Sequence, residues 1–117
     1  MISTKHSRIQ DSPIVERRGA VLRIVGNGES LTLIRFDQEP GAVTPTHTHI
    51  NEQVGTCISG SGTLVSGGVT LHVEPGASWV IPSGEPHSFT VDSVGPVVIF
   101  EAFSPPRMDY LSEAKQP

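Results

Sequence analysis

At 117 residues and 12.5 kDa the chain is long enough to close one hydrophobic core and too short for two ordinary domains. A formal charge of −4, with no cluster among its Lys and Arg residues, excludes a nucleic-acid or membrane surface, because neutralising phosphates takes a dense patch of cations. Cys57 stands alone, which excludes an intrachain disulfide; the opening MISTKHSRIQD lacks a signal peptide's apolar centre and no run reaches the length of a membrane span, so the expected compartment is the cytoplasm.

Residues 1–18 show no clear period, and their polar content predicts an N-terminal arm that either becomes an edge strand or stays a tail. From Gly19 the pattern changes to AVLRIV, the turn signal GNG at 26–28, and SLTLIRFD, where Thr32, Ile34 and Phe36 alternate with Leu31, Leu33 and Arg35. This reads as a hairpin. GAVTPTHTH, EQVGTCIS, GTLVS, VTLHVE, SWVIPS, HSFTVD and PVVIFEAF follow, with Gly, Pro, Ser or Asp at the joints, for roughly nine strands in all. So many short antiparallel strands hide their edges by closing, which predicts an all-β single domain with a jelly-roll β-barrel over 19–104. Residues 105–117 are then a C-terminal tail carrying Arg107, in which DYLSEAK can hold a turn or two of helix.

His47 and His49 are two of only five histidines. Alternate side chains of a strand share a face, so both imidazoles project to one side and can reach one ion, although an isolated pair of this kind more often lines a polar cleft. The wider frame is more specific. It reads G-x5-HxH-x3-Q-x6-G from Gly41 through His47, His49 and Gln53 to Gly60, then G-x5-P-x-G-x2-H from Gly76 through Pro82 and Gly84 to His87. Together these resemble the two signature motifs of the cupin superfamily, over roughly residues 35–104. The resemblance implies the double-stranded β-helix of that superfamily and one divalent transition metal (Ni, Zn, Mn, Fe or Co) held by His47, His49, Gln53 and His87.

Two positions depart from the motifs: Gln53 stands where the first usually has Glu, and Val91 where the second often ends in Asn. Glu52 is the rival ligand, and Gln53 is preferred because its spacing is the family's. Three neutral imidazoles and a neutral amide would leave the ion's dipositive charge uncompensated, which favours an anionic ligand. His6, in the arm, and His72, in VTLHVE, read as solvent-facing. Cys57 shares the parity of Gln53 and Gly55 and reads as a buried, inert thiol near the site.

Pro105 and Pro106 stiffen the backbone ahead of Arg107, a display that suits an anion clamp and equally an edge-capping loop with a solvated arginine. EAFSPPRMDYL, at 101–111, resembles the tail motif of the small cupins of the pectin-degradation KdgF type, and HTHINEQVGTCISGSGTL resembles their first motif, Glu-Gln pair included. That resemblance implies an active site made of the metal site with catalytic Glu101, Phe103 and Arg107. It also implies conversion of 4,5-unsaturated uronate monosaccharides, released by polyuronate lyases, to linear keto forms. Arg107 and the ion would hold the anion, Glu101 would move the proton, and Phe103 would wall the pocket or simply fill the core. Glu101 replaces the family's usual Asp, and Met108 stands where an acidic residue is common, so either can mark a changed substrate. The rivals are a metal-dependent dioxygenase on the same barrel and a non-catalytic sugar-acid-binding cupin like the sensing domains of regulators, which leaves the tail motif without a role. The expected partners are a small anionic sugar acid and a second copy of the chain, whose sheet edge the arm would cover.

Overall fold

The computed structural model describes residues 4–117 and contains ten strands, a 3-10 turn at Ile9–Asp11 and one short helix. The first three residues of the predicted arm lie outside the described residues. The strands are β1 (Ile14–Arg17), β2 (Ala20–Asn27), β3 (Thr32–Gln38), β4 (Val43–His47), β5 (Glu52–Ser59), β6 (Gly62–Ser66), β7 (Val69–Val73), β8 (Ser78–Ile81), β9 (His87–Val91) and β10 (Val97–Ser104); the helix is α1 (Met108–Glu113). They form an antiparallel six-stranded sheet in the order β1-β2-β3-β10-β5-β8, facing a four-stranded sheet in the order β4-β9-β6-β7. This is the predicted all-β jelly roll, and the strand beyond the expected nine is the arm's own Ile14–Arg17.

Period-two burial explains how the core and the site share one interior. Along β10, Val97, Ile99, Glu101 and Phe103 are buried and alternate with partly exposed neighbours, so the same parity that sinks three apolar side chains also sinks a carboxyl group. Along β5 the inward set is Gln53, Gly55 and Cys57. Register does the rest. Gln53 sits opposite Phe103, Gly55 lies between Glu101 on one side and Trp79 on the other, and Gln53 faces Ile81.

Gly55 is required by packing: a Cβ there would overlap the indole of Trp79, which leans across the glycine toward Glu101. Gly55→Ala is therefore expected to cost about 1–3 kcal/mol through overpacking. The readout is a lowered thermal midpoint together with altered Trp79 fluorescence, Trp79 being the sole tryptophan.

The two ends of the chain close one end of the barrel together. Ile14 and Lys115 exchange backbone hydrogen bonds of 2.8 and 3.0 Å, and Arg17 pairs with the Glu113 carboxylate. α1 lays Tyr110 and Leu111 over the cluster of Val15, Leu22, Ile24, Ile34 and Phe103. The arm's strand β1 runs along β2, and its other edge meets the tail at Lys115. No helix among the described residues is long and apolar enough to cross a membrane.

Candidate metal centre

β4 and β9 bring His47 and His87 side by side as direct register partners, with ring centroids 4.3 Å apart. His49 differs from expectation, because β4 ends at His47 and His49 belongs to the connection into β5, not to a continuous strand face. Its position comes from the other motif. Gly84, at φ +77°, turns the chain after Pro82 so that its N–H donates to the His49 carbonyl at 2.9 Å, while the Ser83 hydroxyl donates to Ile50. The turn of the second motif thus holds the loop of the first, and the ligand atoms of His47, His49 and His87 lie within 4.8 Å of one another.

The tautomers are fixed by the backbone. Each Nδ1 lies against a carbonyl oxygen two residues away: His47 to Pro45 at 2.8 Å, His49 to Asn51 at 3.0 Å and His87 to Glu85 at 2.8 Å. A carbonyl only accepts, so each Nδ1 carries the proton and each Nε2 presents a lone pair. Burial, with help from the charge of Arg107 and neighbouring imidazoles, lowers the pKa of both His49 and His87 and keeps them neutral.

These unprotonated nitrogens are poorly served by the protein alone. Nε2 of His87 is buried without a hydrogen-bond partner among the described residues. Nε2 of His49 sits 3.0 Å from Oε1 of Gln53, whose amide nitrogen is already donating to Glu101, so two acceptors face each other. A divalent cation supplies what both contacts lack, and the neutral imidazole and amide-oxygen donors suit a first-row transition ion. The residues present fit the group. Glu52, the rival ligand, is exposed on the opposite face of β5, whereas Gln53 is 6% exposed and lines the chamber.

The three tail-motif residues border the same chamber. Glu101 is buried, accepting from Gln53 Nε2 and, at 3.4 Å, from the Trp79 indole N–H; burial pushes its carboxyl up to about 7 against the pull of those two donors and of Arg107. Phe103 does both things expected of it: its ring meets His49 edge-on at 5.7 Å and also packs in the core with Leu22 and Ile34.

Arg107 departs from the picture of a free fork on a stiff arm. It is 6% exposed, its guanidinium stacks on Tyr110 at 3.8 Å and on Phe103 at 4.6 Å, and its Nε and Nη2 already hold Asp109 at 3.0 and 2.8 Å. Burial is the largest influence and opposes its charge, but the hydrogen bonds and negative charge of Asp109 and Tyr110 together outweigh it and leave its pKa raised. The Nη1 side is the part outside this ion pair.

The remaining candidates fall away from the site. His72 is exposed beside Glu74 and His6 is exposed in the arm. Cys57 is buried, directs its Sγ to the carbonyls of Ser59 and Gly60, and has its thiol pKa raised by burial. It does not line the chamber.

The Cupin domain family matches this chain over residues 34–103, which spans both motifs and all four residues of the candidate centre. The chain belongs to the cupin family. Two curated relatives of this cupin are the HTH-type transcriptional regulators PuuR of Escherichia coli (strain K12) and Shigella flexneri. Each is 33% identical over 92 residues, covering 75% of this chain and 50% of the regulator; the chain spans about half the length of the curated relatives it matches. Among solved structures, an RmlC-like cupin from Shewanella frigidimarina is similar with a TM-score of 0.84 at 22% identity, over 92% of this chain and 96% of that one. KdgF from Halomonas sp. is similar with a TM-score of 0.82 at 21% identity, over 92% and 98%. At these identities the two structures speak for the fold.

Four residues of this cupin's site escaped the sequence reading. Trp79 was visible as the sole tryptophan, at inward parity with Ile81 on β8, and its partner Gly55 was the missing half of the signal. Asn51 latches the tail by donating to the Pro105 carbonyl at 2.6 Å. Asp109 and Tyr110, which hold and stack on Arg107, lie in the short helix; the tail motif contains both, with no role in the site attached to either.

Proposed function

We propose that this cupin is a metal-dependent isomerase that opens 4,5-unsaturated uronate monosaccharides to their linear keto forms. The observation that carries the reading is the meeting of two motifs from distant parts of the chain: Glu101, Phe103 and Arg107 border the chamber of the histidine cluster. The fold similarity to KdgF and the EAFSPPRMDYL tail support it.

His47, His49, Gln53 and His87 would hold the ion, which supplies Lewis acidity and an uncompensated positive charge toward a bound carboxylate. Arg107, held in plane between Asp109 and the Tyr110 ring, presents its Nη1 side to the anion. The Glu101 carboxylate takes the proton of the anomeric hydroxyl, the bond between C1 and the ring oxygen breaks, and C1 becomes an aldehyde. The ring oxygen leaves as an enolate, and Glu101 returns the proton to C4, giving the ketone with no net gain or loss of atoms. Phe103 and Trp79 line the apolar side and keep water from the reacting carbons. The test is the ultraviolet absorbance of the conjugated double bond in lyase-generated unsaturated galacturonate or mannuronate. Loss of absorbance faster than in buffer is expected, and no acceleration by metal-loaded protein rejects the reading.

A second reading has one observation in its favour, the 33% identity to transcriptional regulators. The chain would then bind a small ligand without converting it, and saturable binding with unchanged absorbance would distinguish it.

A further inference from the structure

An antiparallel sheet with one face in water alternates buried and polar residues along each strand. The four-stranded sheet obeys this. Its outward row across β4, β9, β6 and β7 is Val43, Thr90, Thr63 and His72, and the next row places Ser88, Val65 and Thr70 side by side. The six-stranded sheet does not. Its outward row across β3, β10, β5 and β8 is Leu33, Ala102, Val54 and Val80, each between buried neighbours in its own strand and every one apolar. Phe100 and Val98 continue that face along β10, and Ile58 joins it where β5 bulges against β10.

Single exposed aliphatic side chains are ordinary, but a contiguous apolar patch inside a polar border marks an interaction surface. The border is present. Arg23 and Arg35 both hold Asp37, at 3.0 and 2.9 Å, at one end of the face, Ser104 and Glu52 close the other end, and Lys5–Ser7 of the arm flank Leu33. Charge selects the partner. The chain carries −4, yet Arg23 and Arg35 balance Asp37 and Glu52 here, so two copies that repel one another elsewhere can meet on this face unopposed. The area agrees. A monomer of 12.5 kDa exposes about 6,200 Å², whereas this chain exposes 6933 Å². The surplus, to which the exposed arm residues 4–8 also contribute, is of the size of the ~800 Å² that each partner of a standard interface covers.

We infer that the outer face of the six-stranded sheet is a dimerisation surface whose partner is a second copy of this chain, packed sheet against sheet about a twofold axis. In such a contact one patch supplies both halves, and two twisted sheets pack with their strands about 30° apart. The apolar row lies on the opposite side of β5 and β10 from Gln53 and Glu101. The contact therefore braces the strands that carry these residues without covering the chamber.

Sedimentation equilibrium of the full chain, from micromolar concentrations to about 0.5 mM, tests this. Wild type is expected to approach about 25 kDa, twice the 12.5 kDa of one chain. Val54→Glu combined with Val80→Glu sets like charges against each other across the twofold axis, and is expected to raise the dimer dissociation constant at least about a hundredfold. Val54→Thr with Val80→Thr keeps the β-branched shape should the glutamates fail to fold, and is expected to raise it at least about tenfold by burying unpaired hydroxyls. Val65→Glu, on the outward face of the other sheet, is the control and should leave the dimer within about twofold. Trp79 fluorescence reports that each variant is folded. A wild type that stays at 12.5 kDa or forms an assembly of another size, paired substitutions that leave the dimer intact, or a Val65→Glu chain that dissociates equally overturns the inference.

Discussion

Glu101→Gln is expected to lower the turnover of unsaturated uronates by about 10²–10⁴-fold, the range for loss of a positioned acid/base group, while metal content and fold are kept. The substitution is nearly isosteric, and its carbonyl oxygen can still accept from Gln53 Nε2 and the Trp79 indole, the two donors that fix Glu101 Oε2. What it removes is the ability to take and return a proton. The buried carboxyl, raised to about 7 by its apolar surroundings, becomes a permanently neutral amide. Stability should not suffer, since a group that is costly to ionise is replaced by one that cannot ionise. Absorbance kinetics beside a thermal melt and elemental analysis check all three parts. A variant within about threefold of wild type would remove Glu101 from the proton path.

His87→Ala is expected to weaken metal binding by at least about a hundredfold, more than the loss typical of a supporting residue. His87 is 5% exposed, its Nδ1 is spent on the Glu85 carbonyl, and its Nε2 has no hydrogen-bond partner among the described residues, which leaves that nitrogen to the ion. The thermal response should differ in kind. Wild type gains stability as metal is added, about 2.7 kcal/mol at a hundred times the dissociation constant, and the variant should gain far less at the same concentration. His72→Ala is the control, because that ring lies in solvent beside Glu74.

Much of this was legible from alternation. Val97, Ile99, Glu101 and Phe103 fall on one face of β10 by counting twos, which already places a carboxyl inside, and Gln53 over Glu52 follows from the same parity on β5. Counting failed where the backbone leaves the strand. His49 reaches the cluster from a loop whose shape is set by Gly84, some thirty-five residues away in sequence, and a local period carries no trace of that. Arg107 was found through its motif, but its engagement by Asp109 depends on how α1 begins, and the two prolines that stiffen its approach do not determine where the guanidinium turns. Trp79 is an ordinary strand residue by pattern. It becomes informative only when the space around it is known, through the absence of a Cβ at Gly55.

The most direct measurement is X-ray absorption at the metal edge of protein loaded with nickel or zinc and freed of loosely held ion. About one ion per chain, coordinated by nitrogen and oxygen with the multiple scattering of three imidazoles and no sulfur, is the expected result. Protein that retains no ion, or a first shell containing the Cys57 sulfur or lacking imidazole, would contradict a centre built from His47, His49, Gln53 and His87.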